Sequence, residues 1–395
     1  MKPISIMFIA GEASGDALAS ELVTALSARF ETKLEMFGAG GPKMAAVGVK
    51  VAIDMTQHSV IGLIEVVKKY PWFKKAFAQL KQLAIERKPD IIICVDFGGF
   101  NRRFAHAIRE LTRRSGKASE WNPKIVQYVS PQVWASRPGR AKQMAQDLDL
   151  LLSLFPFEND WYARHAPQLR VEFVGHPIAD RFSTYQPPVV TKPHGHAATT
   201  YRSLDILLLP GSRAGELRRH LPVMLKAARQ IAAQEKNARF EIVLPTENLT
   251  DLARKLGTDT LVNLTMRPGD ITESLSHAAV AIASTGTVTL ECAYFGVPTI
   301  AIYKTSWSTY QIGKRIIKVR YLAMPNLLAN KTVFPEFIQG EATAEKISTE
   351  ALDLLNNPAR RKAIKEQLKT VMASLGGPGA SERAASAIFD LFAAE

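Results

Sequence analysis

Residues 278–291 read AAVAIASTGTVTLE, and their pattern decides the architecture. The apolar run Ala278 to Ala283 has the composition of a buried strand, and Thr285-Gly286-Thr287 makes the turn after it. The polar–apolar pattern that follows opens a helix, with Glu291 one turn in. Backbone N–H groups at such a helix start lack partners and carry the positive end of the dipole, so they suit a phosphate or pyrophosphate. Glu291 lies four residues after Thr287 on the same helix face, where its carboxylate can accept two hydrogen bonds from a ribose diol. A capped helix with a solvated Glu would read the same from this segment alone.

A second segment of the same kind tips the balance. In ILLLPGSRAGELRRH, residues 206–220, Ile206 to Leu209 reads as a buried parallel strand broken at its carboxyl end by Pro210-Gly211-Ser212. Arg213 follows in the loop, where its planar fork can engage a pyrophosphate bidentately. A surface Arg near a helix start is the plainer alternative. Ligands of open parallel sheets sit outside the carboxyl ends of strands, where both segments put their polar groups. No G-x-G-x-x-G follows a strand with an acidic residue about 20 further on, so a nucleoside diphosphate fits better than a dinucleotide.

Outward from these segments, strand-like runs alternate with helical patterns. Ile4–Ala10 precedes a helix from about Asp16 to Phe30; Ile91–Val95 ends in Asp96, Ile125–Val129 in Ser130-Pro131, Leu150–Leu154 in Phe155-Pro156, and Val171–Val174 in Gly175-His176-Pro177. After residues 183–204, rich in Pro, Thr and His, the alternation restarts with Leu204–Leu209, Phe240–Pro245, Leu264–Arg267, Ala279–Ala283 and Thr299–Tyr303. Such repetition specifies doubly wound parallel sheets. We expect an N-terminal domain over 1–180, a linker over 181–204, a C-terminal domain over 205–345 and terminal helices over 346–395, with Gly376-Gly377-Pro378-Gly379 setting off the last.

With 395 residues, 47% hydrophobic and 22% charged, the chain has the composition of a soluble globular protein of two domains. No run approaches the roughly 18 apolar residues of a membrane span, and Ile6 to Ala10 after Lys2 is too short for a signal-peptide core. Cys94 and Cys292 both lie in apolar surroundings and read as reduced packing residues. The formal charge of +13 calls for a polyanionic partner, yet no nucleic-acid module is visible. One cluster stands out, Val66 to Phe77, where Tyr70, Trp72, Phe73 and Phe77 interleave with Lys68, Lys69, Lys74 and Lys75. Such a segment suits an anionic membrane surface; the alternative is a helix pair with Trp72 and Phe73 in the core.

Ten segments, in order, resemble the lipid-A-disaccharide synthase family of GT-B glycosyltransferases, from the first strand to about Glu336. They are Ala10-Gly11-Glu12-Ala13-Ser14-Gly15-Asp16; Gly38 to Met44; Gly62-Leu63-Ile64-Glu65-Val66; Asp96 with Phe100-Asn101; and Tyr128-Val129-Ser130-Pro131-Gln132-Val133-Trp134-Ala135. Phe155-Pro156-Phe157-Glu158, Gly175-His176-Pro177, Leu209 to Arg213, Gly286-Thr287 with Leu290-Glu291, and Pro325-Asn326-Leu327-Leu328 complete them. Gly98, Ser136 and Thr285 depart from residues usual in the family, which touches turn rigidity and acceptor-side detail more than chemistry.

The resemblance implies two Rossmann-like domains facing a central cleft and an inverting transfer from UDP-2,3-diacylglucosamine to 2,3-diacylglucosamine 1-phosphate, releasing UDP in lipid A biosynthesis. No cofactor or metal is expected. It makes Asp96 the candidate base, with Arg213 also catalytic. Gly211, Ser212, Arg213, Thr285, Gly286 and Thr287 would hold the diphosphate, Glu291 the ribose, and Asn326 with Glu336 would close around the nucleotide-sugar. Glu12, Ser14 and Asp16 would face the acceptor, although Asp16 also reads as a helix cap. His176 is expected to organise the crossing between domains. Implied location is the cytoplasm, peripheral to the inner face of the inner membrane of a Gram-negative-type bacterium. The last helices would cross back to the first domain or exchange within a homodimer. Rival readings are another UDP-sugar enzyme on this fold, such as the peptidoglycan N-acetylglucosaminyltransferase or a UDP-sugar 2-epimerase, and a basic membrane-surface protein without catalysis.

Overall fold

A strand built like Ile91–Val95, IIICV, must be covered on both faces, and in the computed structural model every one of its residues is buried at the centre of a sheet. The structure describes residues 3–56, 63–114, 121–183, 185, 204–261 and 263–393. In chain order the strands are β1 (Ile4–Ala10), β2 (Leu34–Gly40), β3 (Lys50–Asp54), β4 (Ile91–Val95), β5 (Lys124–Tyr128), β6 (Leu150–Ser153) and β7 (Val171–Phe173), then β8 (Leu204–Leu209), β9 (Ala238–Leu244), β10 (Leu264–Pro268), β11 (Val280–Ser284), β12 (Thr299–Tyr303) and β13 (Glu336–Ile338). The first seven form one sheet in the order β3-β2-β1-β4-β5-β6-β7, the other six a second in the order β10-β9-β8-β11-β12-β13. Pairing is parallel in both. The expected pair of doubly wound α/β domains is what the chain forms.

Each sheet reverses its winding next to its first strand, β1 beside β4 and β8 beside β11, and that switch point opens a crevice at the carboxyl ends. Register sets what meets there. Ala10 pairs with Val95 and Val95 with Tyr128, so Gly11, Asp96 and Val129 emerge side by side. In the second sheet Leu209 pairs with Ala283, which brings Pro210 beside Ser284. Burying an Ile or Leu of these central strands stabilises by roughly 1.5–3 kcal/mol. Cys94 and Cys292 are fully buried, and burial pushes both thiols up to about 12, so they act as packing groups.

The chain divides into two units, the first made of its first 181 residues together with Leu375 onward, the second of Phe182 to Ser374. Most of the expected linker, residues 186–203, lies outside the described residues. The helices after residue 345 do not stay together: Ala344–Asn356 and Pro358–Ser374 belong to the second unit and Ala380–Ala393 to the first. That last helix lies along Ala13–Arg29, with the Phe389 ring edge-on to Phe30 at 5.0 Å. Asp180 accepts from the backbone N–H groups of Gly379 and Ala380, and Arg383 donates to the carbonyls of Val174, Gly377 and Pro378. His176 joins the same corner, its N–H donating to the Leu375 carbonyl at 2.9 Å. Burial pushes its imidazole down to about 4, so it stays neutral. Among the described residues no helix is long and apolar enough to cross a membrane.

Candidate functional site

At the first switch point the backbone takes conformations that side chains disfavour. Asp96 and Phe97 have φ of 49° and 45°, and Val129 beside them 73°. Left-handed backbone at non-glycine residues costs on the order of 1–3 kcal/mol each and persists only where neighbours enforce it. Two buried amides do so here. Asn101 donates to the carbonyls of Ile9, Val95 and Asp96, at 3.2, 3.2 and 2.8 Å. Gln127 donates to those of Asp96, Tyr128 and Val129, at 3.2, 3.3 and 3.1 Å. Sequence reading missed Gln127; its signal was an amide inside the otherwise apolar run Ile125 to Tyr128. Gly11 completes the cradle, because a Cβ there would lie 2.2 Å from the Phe97 ring. The half-buried Asp96 carboxyl is raised above the usual carboxylate range by burial, partly offset by the Phe97 N–H. A carboxylate made more basic in this way suits proton abstraction.

The other residues expected on this side separate. Glu12 precedes the helix Ala13–Arg29 as its half-exposed N-cap, and Ser14 is exposed in its first turn. Asp16 is different: it is 2% exposed and points the other way. Its carboxylate accepts from the N–H groups of Gly41, Lys43 and Met44 at 2.8–3.1 Å, capping the short helix Pro42–Ala46. The expectation that it faces an acceptor is therefore corrected to a cap, of a helix other than its own.

Beside Asp96 lies a groove of about 470 Å³ walled by Phe73, Phe77, Phe97 and Phe100, with exposed Tyr70, Lys74 and Arg103 also lining it. Phe77 meets Phe100 and Phe104 edge-on at 5.4 and 5.7 Å, and Phe73 lies 5.8 Å from Phe97. Trp72, Phe73 and Phe77 are thus half-buried against the core, while Tyr70 is 57% exposed. Gly62 and the side chains of Lys68 and Lys69 lie outside the described residues. Past the groove, Arg102, Arg103, Arg137 and Arg140 gather; burial and mutual repulsion push Arg102 and Arg140 below the usual guanidinium range. Such a cluster invites an anion.

The second switch point is polar. Gly211, at φ 118°, leaves room where a Cβ would collide with Glu216. Glu216 accepts from Ser212 N–H at 3.1 Å and lies 3.7 Å from the Arg213 guanidinium, so it orients the residue expected at the diphosphate. Arg213 is the N-cap of the helix Ala214–Gln234. Across the crevice Gly286 and Thr287, both exposed, begin the helix Thr287–Tyr294, with Glu291 half-buried one turn on. His220 ties these loops to the next: Nδ1 donates to the Pro210 carbonyl at 2.8 Å and Nε2 accepts from Lys304 N–H at 3.0 Å. Burial lowers its pKa, which keeps that tautomer neutral. Glu216 and His220 were also missed, being ordinary helix residues by pattern.

Asn326 and Glu336, expected around the nucleotide-sugar, are spent on each other and on their loop. Asn326 is fully buried; its amide donates to the Phe334 carbonyl and to Glu336 Oε1, both at 2.7 Å, and accepts from Val333 and Phe334 N–H. Glu336 further accepts from Leu322 and Ala323 N–H at 3.0 Å. Two cavities of about 490 and 580 Å³, beside Arg109 and Arg239, open at the amino ends of the sheets, away from both switch points.

The family described as lipid-A-disaccharide synthetase matches residues 6–389. The lipid-A-disaccharide synthase of Geobacter metallireducens is 37% identical, over 98% of this chain and 97% of its own. That of Myxococcus xanthus is 33% identical over 98% of both. Among solved structures, the UDP-GlcNAc 2-epimerase of Neisseria meningitidis bound to UDP-GlcNAc superposes with a TM-score of 0.61 at 11% identity, covering 99% of this chain and all of that one. The calicheamicin glycosyltransferase CalG4 does so at 0.59 and 14%, covering 100% and 99%. At such identities these two show the fold alone.

Proposed function

The chain belongs to the lipid-A-disaccharide synthetase family, and from that premise we propose how its residues carry out the transfer. It is a glycosyltransferase that joins UDP-2,3-diacylglucosamine to 2,3-diacylglucosamine 1-phosphate, forming the β-1,6-linked disaccharide 1-phosphate and UDP. The observation that carries the reading is the family match over residues 6–389, with Asp96 and Arg213 each at the switch point of its own sheet.

Asp96 takes the proton of the acceptor 6-hydroxyl as that oxygen attacks the donor's anomeric carbon. The bond from that carbon to the diphosphate breaks on the opposite side, and its electron pair leaves with UDP. Arg213 and the helix start at Thr287 receive the growing charge, the largest single contribution in most transfers of this kind. Glu291 holds the ribose. Glu216 positions Arg213, and Asn326 with Glu336 keep the 322–334 loop in shape. Glu12 and Ser14 border the acceptor. The arginine cluster suits the acceptor's phosphate and the aromatic groove one of its acyl chains. Tyr70, Lys74 and Lys75 contact an anionic membrane at its cytoplasmic face, with Trp72, Phe73 and Phe77 supporting that contact from beneath.

Incubating the protein with both lipid sugars tests this. UDP and a disaccharide phosphate should appear together. UDP-sugar turnover that needs no acceptor would replace this reading with that of an epimerase or hydrolase.

A further inference from the structure

Resting on that reaction, both substrates carry two acyl chains, so the unit that seats the donor also has to meet the bilayer. A segment of the second unit has the required chemistry. After β12 the chain enters the helix Trp307–Ile316, in which no residue is buried. Trp307 is 75% exposed, Ile312 50%, and Ile317, just past its end, 42%; these are three of the five exposed large hydrophobic side chains among the described residues. Lys314, Arg315, Lys318 and Arg320 are exposed beside them. From Lys304 to Pro335 the sequence has six Lys or Arg and no Asp or Glu. Water disfavours that apolar surface, and a neutral protein partner would leave the charge unanswered, whereas an anionic bilayer accepts both.

The root of the helix is fixed. Ser306 caps it by accepting from Thr309 N–H at 3.2 Å, and the Lys304 ammonium donates to the carbonyls of Gln339 and Ala342 at 2.9 and 3.2 Å. Through His220, the Lys304 backbone is tied to Pro210, next to the turn that carries Arg213. We propose that Trp307–Arg320 is a second membrane-contacting element: Trp307, Ile312 and Ile317 enter the headgroup–acyl boundary of an anionic bilayer while the four basic residues engage lipid phosphates. Donor lipid is thereby met at the surface by the unit that binds its nucleotide.

The test uses the full chain, sedimented with phosphatidylglycerol vesicles and with phosphatidylcholine vesicles. Trp307→Ser with Ile312→Ser should lower phosphatidylglycerol binding at every salt concentration. Lys314→Glu with Arg315→Glu should lower it at low salt, by about fivefold or more for each side chain, with the difference fading as salt rises. Both variants should keep parental turnover on short-chain, water-soluble analogues and show a raised KM for long-chain donor in vesicles. Parental binding by both variants overturns the proposal; so does parental binding with a changed sedimentation velocity, which would make the helix a contact between copies. Failure of the parent to release UDP from short-chain substrates would refute the reaction instead and leave the vesicle result standing.

Discussion

The two sheets share a winding order and differ in what their carboxyl ends carry. The first presents the raised carboxyl of Asp96, held on strained backbone between an aromatic groove and an arginine cluster. The second presents glycine turns, threonines and helix starts. Buried charge follows the same division: among the described residues the buried carboxylates Asp16, Asp147 and Glu158 all lie in the first unit. One scaffold thus supplies position twice, and loop chemistry decides which part of a reaction each copy serves.

The sharpest way to break this contrast is at Asp96. Asp96→Asn should cost ~10²–10⁴ in kcat while UDP affinity, measured by calorimetry, stays parental. Because burial raises the Asp96 pKa, activity should fall as pH drops through a value above the ordinary carboxylate range; an acid limb near 4 would remove the assignment. Next in size, Arg213→Ala should weaken UDP binding by roughly 1.5–3 kcal/mol without changing acceptor KM. Glu291→Ala should weaken uridine and UDP alike, and calorimetry showing UDP unchanged in both variants would dissolve the donor seat.

Glu158 probes the first unit's buried carboxyls. It accepts from Trp134 Nε1–H at 2.9 Å and from Phe155 N–H at 3.2 Å, yet burial pushes it up to about 7. Its folded pKa lies above the unfolded value, so its contribution is greatest below the unfolded pKa and is lost as pH rises through about 7. Thermal stability should therefore decline between about pH 5 and 7 by up to about 1.4 kcal/mol per unit, and Glu158→Gln should flatten that slope. A parent with no such slope refutes it. The smallest effect belongs to Glu216: its half-exposed pair with Arg213 should be worth roughly 0.2–1 kcal/mol of UDP binding in Glu216→Ala, and a loss equal to that of Arg213→Ala would make Glu216 a direct ligand.

Legibility in the sequence followed burial. Central strands such as Ile91–Val95 and Thr299–Tyr303 announce themselves as unbroken apolar runs. The edge strands β3 and β13 do not, since Lys50–Asp54 mixes charges with apolar residues and Glu336–Ile338 is only three residues long. Loop residues at strand ends were readable because turns and charge interrupt a pattern there. Asp16 and Asn326 were ambiguous because a buried polar side chain looks the same in sequence whether it serves a ligand or a backbone. Gln127, Glu216 and His220 stayed hidden because their partners lie across the fold.

The first unit is interrupted in sequence, and this bears on how the protein is made. Its last helix, Ala380–Ala393, covers Phe30 and the flank of Ala13–Arg29 but is made only after the whole of the second unit. The second unit is continuous and can fold as it emerges, whereas the first waits roughly ten to forty seconds with an apolar strip bare. A stop codon between Ser374 and Ala380 would then cripple the domain made first and spare the one made second.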